Sequence, residues 1–253
     1  MFAEERQKQI LQYINEHARA SVAELTSVFH VSEATIRRDL KELEEAGLLR
    51  RTHGGALANQ SVGFEPTFSE KTVQHADEKK RIAAKAMEWV GEGDTVLLDS
   101  GTTTYQMVPF LASFRALTVV TNSYRILQEL EQAESLELVS TGGIVRKGTQ
   151  SLVGPIAEQV LEMVKVDKVF LGTNALDLEA GLTTPNLYEA QMKKAMIRAA
   201  SQVILLCDSS KIGNTSFAKV AAISEVDVWI TDEQAPAEVV KQVRDSGVEV
   251  ILV

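Results

Sequence analysis

The sequence predicts an α/β protein in two parts, and three observations carry that reading. Residues 1–57 hold three helical patterns and a Gly-rich hairpin, with no long apolar strand. Residues 77–253 alternate helical stretches with short runs rich in Val, Ile and Leu, the pattern of a largely parallel sheet covered on both faces. Between them, residues 58–76 lose periodicity around Asn59-Gln-Ser-Val-Gly63 and Pro66, and read as a linker. Its phenylalanines, Phe64 and Phe68, suggest that part of it docks on a neighbouring surface.

Composition narrows the class. Of 253 residues, 45% are hydrophobic and 24% charged, ordinary values for a globular chain with a sizeable core. No apolar run reaches membrane-spanning length and no signal segment stands at Met1, so a cytoplasmic protein with no membrane partner is expected. The single cysteine, Cys207, excludes an internal disulfide and reads as a buried thiol in the run Val203-Ile-Leu-Leu-Cys-Asp208. His17, His30, His53 and His75 are scattered, with no Cys/His pairing at ligand spacing, so neither a metal nor a cofactor is expected. There is no G-x-G-x-x-G turn, no phosphate loop of the G-x-x-x-x-G-K-[ST] type and no G-x-S-x-G elbow.

In the first part, an amphipathic helix over residues 3–17 carries Ile10, Leu11 and Ile14 on one face. Ser21 and Glu24 form a capping box that opens a short helix through Phe29. After a tight turn, Ser32 is an N-cap for a helix ended by Gly47, with Ile36, Leu40 and Leu43 on one side. Arg37, Arg38 and Lys41 fall on the other side, beside Ala34 and Thr35. Residues 48–55 then read as two short strands around a turn, carrying Arg50, Arg51 and His53. Three helices and such a wing make a winged helix-turn-helix. Its third helix would enter a DNA major groove and its wing would touch the backbone or minor groove. Ser32, Thr35, Arg37, Arg38, Lys41, Arg50, Arg51 and His53 are the expected DNA-binding residues.

The net charge of −9 looks wrong for that task until it is divided. Residues 1–55 hold 8 Lys and Arg against 9 Asp and Glu, and the remainder 18 against 26. Neither part is basic, but the cations of the first are gathered on one helix and one wing, and the local field is what a groove meets. This argues against a coating role and for site-specific binding.

In the second part, strands are expected over 95–99, 117–121, 136–140, 168–172, 203–208, 227–231 and 248–253. Ligands in such sheets bind beyond the carboxyl ends of the strands. There stand Asp99-Ser-Gly-Thr-Thr-Thr104, Asn122, Gly142 and Gly143 followed by Arg146 and Lys147, Asn174, and Asp208-Ser-Ser-Lys211. Hydroxyls, glycine and exposed N–H groups at the 101–104 turn suit a phosphate, and Lys211 could neutralise it. Any one of these is ordinary turn chemistry; their recurrence favours a polyol or sugar-phosphate site. The expected effector-binding residues are Asp99, Ser100, Gly101, Thr102, Thr103, Thr104, Asn122, Gly142, Gly143, Lys147, Glu189, Lys193 and Lys211.

Thr35-Ile-Arg-Arg-Asp-Leu40 with Leu43, Gly47 and Arg51-Thr-His-Gly-Gly55 resembles the signature of the DeoR family of bacterial transcriptional regulators. Leu98-Asp-Ser-Gly-Thr-Thr103, Thr121-Asn122, Phe170-Leu-Gly172, Glu179-Ala-Gly181 and Asp208-Ser-Ser-Lys211 resemble that family's sensor domain. The resemblance covers nearly the whole chain, and 171–177 with 181–185 look most like its fructose-operon branch. It implies a sensor domain similar in fold to ribose-5-phosphate isomerase and glucosamine-6-phosphate deaminase. It implies, further, a repressor of sugar-catabolism genes acting on double-stranded operator DNA and relieved by a phosphorylated sugar. Paired half-sites would make it a homodimer or homotetramer. The competing reading is a sugar-phosphate isomerase fused to a DNA-binding domain, with Asp177, Glu179, Glu189 and Lys193 as its acids and bases. Glu189 and Lys193 are equally an i,i+4 helix pair. A repressor that consumed its inducer would undercut its own signal, so no enzymatic activity is expected.

Overall fold

The computed structural model describes residues 2–17, 19–46, 48–52, 54–58 and 65–253, with the backbone alone at Arg50 and Leu57. The chain divides into two compact units, Met1–Ser61 and Val62–Val253.

The first unit runs α1 (Ala3–His17), β1 (Arg19–Ser21), α2 (Val22–Phe29), α3 (Glu33–Glu45), β2 (Leu49–Thr52) and β3 (Gly55–Ala58). Ser21 and Glu24 close the capping box of α2, each side chain accepting from the other's backbone N–H at 3.1 and 3.3 Å. His30 takes the left-handed conformation at φ 53°, which turns the chain from α2 into α3 within three residues. Ile36, Leu40 and Leu43 of α3 pack with Ile10, Ile14, Leu25 and Leu49 in one small core. The expected wing is β2 and β3, but β3 runs from Gly55 to Ala58, beyond the 48–55 stretch in which both strands were expected. Its third strand, β1, was not expected: three residues are too short to show an alternation. The C-terminal Gly47 and the wing's His53 lie outside the described residues.

A second feature of α3 runs against its pattern. Asp39 is buried, at 2% exposure, and accepts from Arg6 Nε at 2.6 Å, Arg6 Nη2 at 3.1 Å and Gln7 Nε2 at 3.3 Å. This forked pair bolts α1 to α3 and fixes the angle at which α3 is presented.

The second unit opens with α4 (Phe68–Val73), inside the stretch expected to be linker. Thr67 and Glu70 cap it reciprocally, and the buried Phe68 ring stands edge-on to Tyr105 at 5.5 Å. A cap and an aromatic anchor therefore override Pro66. Then come α5 (Ala76–Ala86), β4 (Thr95–Leu98), α6 (Thr102–Tyr105), α7 (Val108–Leu111), β5 (Leu117–Thr121), α8 (Tyr124–Leu130) and β6 (Leu136–Ser140). A hairpin of β7 (Ile144–Arg146) and β8 (Ser151–Val153) leads to α9 (Pro155–Glu162) and β9 (Val166–Gly172). After β10 (Ala175–Asp177) and β11 (Gly181–Thr184) come α10 (Leu187–Ala199), β12 (Ala200–Leu206), β13 (Ala218–Ala221), β14 (Val228–Thr231), α11 (Ala237–Asp245) and β15 (Glu249–Leu252).

Seven strands form one parallel sheet in the order β15-β14-β12-β9-β4-β5-β6. Val96 and Leu98 of β4 face a core shared with α5, α7 and α8, while Leu97 faces the core shared with α9, α10 and α11. Both faces are covered, which is why the strands read as apolar runs. From β4 the chain winds outward to β6, returns to the other side of β4 at β9, and winds outward again to β15. The switch in direction lies between β4 and β9, the place in such sheets where ligands bind beyond the strand ends. Beside the main sheet, β10, β11 and β13 make a small antiparallel sheet. Cys207 is buried and free. Among the described residues, no helix is long and apolar enough to cross a membrane.

Breaking the pair under α3 should be costly. Asp39→Ala leaves Arg6 without its partner, and about 3 kcal/mol should be lost from the first unit, as for other severed buried pairs. Chemical denaturation measures this; a loss below about 1 kcal/mol, the range of surface pairs, would mean the bolt is dispensable.

Candidate functional site

The outward face of α3 is built from its N-cap. Ser32 Oγ accepts from the Thr35 backbone N–H at 3.2 Å and pairs with Thr35 Oγ1 at 2.9 Å, which fixes the first turn. Beyond it, Arg37, Arg38 and Lys41 have more than half of each side chain in solvent, at 53, 78 and 63%. Each lies against a carboxylate one turn away: Arg37 with Glu33 at 3.2 Å, Arg38 with Glu42 at 2.9 Å, Lys41 with Glu45 at 3.7 Å. These carboxylates account for the missing net charge. Exposed pairs of this kind are worth only about 0.3–0.5 kcal/mol, so a phosphate or a guanine edge can take the cation from its partner. The Arg51 backbone N–H donates to Glu44 Oε1 at 2.8 Å, which ties β2 to α3, and Arg51 and Arg37 line one cleft with Thr52 and Gly55. Of the other two expected wing residues, Arg50 is described in backbone alone and His53 lies outside the described residues.

At the switch between β4 and β9, a buried polar cluster replaces apolar packing. Asp99 follows β4 with no exposure; its Oδ2 accepts from Lys193 Nζ of α10 and, at 2.9 Å, from the Gly172 N–H that ends β9. Lys193 also donates to the Gly172 carbonyl at 2.9 Å. A Cβ on Gly172 would stand 3.1 Å from Asp99 Oδ2 and one on Gly101 3.3 Å from Thr104 Oγ1, tighter than ordinary contact, so a side chain at either strand end would crowd this cluster. One turn before Lys193, Glu189 accepts through one oxygen from Ser151 at 2.6 Å, Arg146 at 2.8 Å and Thr149 at 2.9 Å. Burial pushes the Glu189 carboxyl up, but the Lys193 charge and those hydrogen bonds outweigh it and hold the group below the usual carboxylate range. Asn122, buried after β5, donates to the Leu152 carbonyl at 3.3 Å. Of five buried side-chain oxygens without a hydrogen-bond partner among the described residues, two follow β4 and β5 at this switch: Asp99 Oδ1 and Asn122 Oδ1. Buried acceptors without donors are costly, and hydroxyls of a ligand would satisfy them.

The expected effector residues divide. Asp99, Glu189 and Lys193 meet as one cluster. Ser100, Thr102 and Thr103 stand beside it, nearly buried. Thr104 is turned inward, its hydroxyl on the Asp99 and Gly101 carbonyls at 2.7 Å, so it shapes the turn. Gly143, at φ 108°, has a structural reason, since a Cβ there would meet the Val153 carbonyl at 2.6 Å; Gly142, also at positive φ, has open space around it. In the β7–β8 hairpin it is Arg146 that turns inward, to Glu189 and to Glu65 at 2.5 Å, while Lys147 is exposed. Alternation along a strand decides which neighbour faces in, and this strand is too short for its sequence to tell. Lys211 lies beside Asp208, whose carboxyl burial raises but Lys211, Ser210 and Lys79 bring below the usual range. Lys79 itself, buried at 2% exposure, donates to the carbonyls of Lys71 at 2.5 Å and Gln74 at 2.6 Å, and burial lowers its ammonium to about 8. Lys71 and Glu65 are residues beside this cluster that the sequence reading passed over, and Arg146 is one it named at the strand ends but left out in favour of Lys147. The first two sit in what looked like linker.

The chain matches known families over most of its length. Residues 6–62 match the DeoR-like helix-turn-helix domain and residues 74–233 the DeoR C-terminal sensor domain. It is 42% identical to the HTH-type transcriptional regulator GlpR of Haloferax volcanii, over 99% of this chain and 98% of that one. It is 37% identical to the putative aga operon transcriptional repressor of Escherichia coli O157:H7, over 98% and 93% of the two chains. It is also 37% identical to the uncharacterized regulator FruR of Bacillus subtilis, over 92% and 93%. Among solved structures, ribose 5-phosphate isomerase A of Methanocaldococcus jannaschii is 20% identical over 54% of each chain, at a TM-score of 0.40. With a reading helix and wing in its first unit and a covered parallel sheet in its second, this chain belongs to the DeoR family of DNA-binding transcriptional regulators.

Proposed function

We propose that the protein represses a sugar-catabolism operon and that a phosphorylated sugar, seated at the strand ends of the second unit, governs its hold on the operator. The observation that carries this is the pair of acceptors without a partner among the described residues, Asp99 Oδ1 and Asn122 Oδ1, beside the buried Thr102 and Thr103. Polyol hydroxyls suit the acceptors; a phosphate suits the threonine hydroxyls and the cations nearby. The relatives' names point to different operons, so the sugar is left at the level of its class. The same chemistry serves binding without turnover. Glu189, the best-placed base for an isomerase, is held ionised and saturated on one oxygen by three donors, an orienting rather than a proton-accepting arrangement. Acting on DNA, the protein works in the cytoplasm, as a dimer or tetramer matched to paired half-sites.

Two sets of variants test this, with an operator selected from random duplex DNA. Arg37→Ala or Arg38→Ala should cost about 1–3 kcal/mol of operator affinity if the side chain reads a base edge, and should relax specificity at that position. A residue that meets only phosphate should weaken all DNA alike and flatten the salt dependence. Unchanged operator binding by the folded double variant rejects the reading helix. Separately, Thr102→Ala with Thr103→Ala should remove charge-assisted hydrogen bonds worth about 1.5–3 kcal/mol each from a bound phosphate. Titrating operator against sugar phosphates then reads the response. If the double variant lets go of DNA at the wild-type ligand concentration, the phosphate is held elsewhere.

A further inference from the structure

Arg37 and Arg38 are neighbours on α3, but their partners hold them differently. Arg38 donates to Glu42 Oε1 through Nε at 2.9 Å, and its two terminal nitrogens carry no hydrogen bond among the described residues. Arg37 meets Glu33 through a terminal nitrogen, Nη2, at 3.2 Å. A guanine edge presents O6 and N7 side by side, and an arginine takes both with a fork of two N–H groups. The end of the Arg38 guanidinium offers that fork with the Glu42 bond kept. Arg37 has to break its own pair first. The two also point differently. At about 100° per residue, Arg38 lies with Ala34 and Lys41 opposite the buried Ile36, Leu40 and Leu43, whereas Arg37 turns toward the cleft it lines with Arg51 of β2.

The Glu42 carboxylate is itself held. Its other oxygen, Oε2, accepts from Nε2 of Gln7 on α1, and the same amide nitrogen donates to Asp39 Oδ1 at 3.3 Å. Between two carboxylates only the NH2 end of an amide can serve, and its hydrogens suffice for both. The bonds run in one line from the buried fork of Arg6 and Asp39, through Gln7 and Glu42, to Arg38. Hydrogen bonds from Arg38 and Gln7 hold the Glu42 carboxyl below the usual carboxylate range, so it remains a charged acceptor. Glu33 makes no other side-chain hydrogen bond among the described residues, and its pair with Arg37 joins two exposed side chains of one helix. An arginine loses rotamer freedom when it docks, and one already aimed loses less. We propose that Arg38 is the residue of α3 that reads a guanine edge, that Gln7 and Glu42 are the positioning residues that aim it, and that Arg37 serves the DNA backbone beside Arg51. This rests on the reading of α3 given above and is independent of the sugar-phosphate site.

The test uses the full chain and the operator selected from random duplex DNA, with each base pair replaced in turn. Each guanine is also replaced by its 7-deaza analogue, which keeps base pairing and loses the N7 acceptor. The wild type should discriminate about 10- to 100-fold at one G·C pair in each half-site, and the 7-deaza analogue there should cost it affinity. Arg38→Ala should bind the intact and altered operators alike at that pair and keep its preferences elsewhere. Arg37→Ala should weaken all of them alike. Gln7→Leu and Glu42→Ala, each made alone, should reduce discrimination at the Arg38 pair about 3- to 10-fold, and should reduce it no further once Arg38 is Ala. Glu42→Ala should also bind arbitrary DNA more tightly, since a negative charge leaves the reading face. If Gln7 merely braces α1 against α3, Gln7→Leu weakens every operator alike, with or without Arg38; that result overturns the positioning role, as does wild-type discrimination in both folded variants. A uniform loss in Arg38→Ala, or loss of base discrimination in Arg37→Ala instead, overturns the assignment and leaves the reading helix standing. Unchanged operator binding when both arginines are replaced rejects the reading helix, and the inference with it. Should Gln7→Leu fail to fold, Glu42→Ala, at a position open to solvent, gives the same comparison from the other end of the bond.

Discussion

A carboxylate with no access to water, Asp99, sits where the winding of the sheet changes direction, held by Lys193 and by the N–H that ends β9. The rest of the second unit is arranged around that pairing. An unpaired buried carboxylate would cost several kcal/mol, so α10 must deliver its lysine to the gap between β4 and β9. Once Lys193 is fixed, Glu189 one turn earlier is fixed too, and it draws Arg146, Thr149 and Ser151 of the β7–β8 hairpin over the strand ends. Arg146 in turn holds Glu65, at the start of the unit. A single ionic constraint therefore reaches from the middle of the sheet to the segment that precedes α4, and one oxygen of Asp99 is still free for a ligand.

The first unit solves a different problem with the same chemistry. Its reading helix has to be rigid in direction yet free at its surface. The buried Arg6–Asp39 fork supplies the direction, and the exposed pairs of Arg37, Arg38 and Lys41 supply cations that are weakly held. Burial separates the two kinds of pair: the first is expensive to break, the second nearly free. Intramolecular carboxylates on the reading face also lower affinity for arbitrary DNA, since phosphate has to displace them, and leave base contacts to decide between sites.

Much of this was legible in the sequence, and the limits are physical. The helices of the first unit declare themselves through caps and apolar spacing, and the long strands of the second through apolar runs. Asp99, Glu189 and Lys193 could be found because ligands gather at strand ends and because an i,i+4 pair was visible on one helix. What escaped was short or local. Three-residue strands carry no period, so β1 and the β7–β8 hairpin left no trace, and with the hairpin went the choice between Arg146 and Lys147. α4 was hidden by Pro66 and by the small polar residues before it, although Thr67 and Glu70 spell a capping box. Asp39 was hidden by its company: among charged residues of a charged helix, only the distant Arg6 marks it as buried.

The account stands on one coupling, between a sugar phosphate at the strand ends and DNA on α3. Linkage requires that coupling to be reciprocal. The most direct measurement is the affinity of the stabilising sugar phosphate for the free protein and for the protein saturated with operator, set beside operator affinity with and without the ligand. The account predicts that the two ratios agree, at about 10-fold or more. Equal ligand affinity for the free and the operator-bound protein would contradict it.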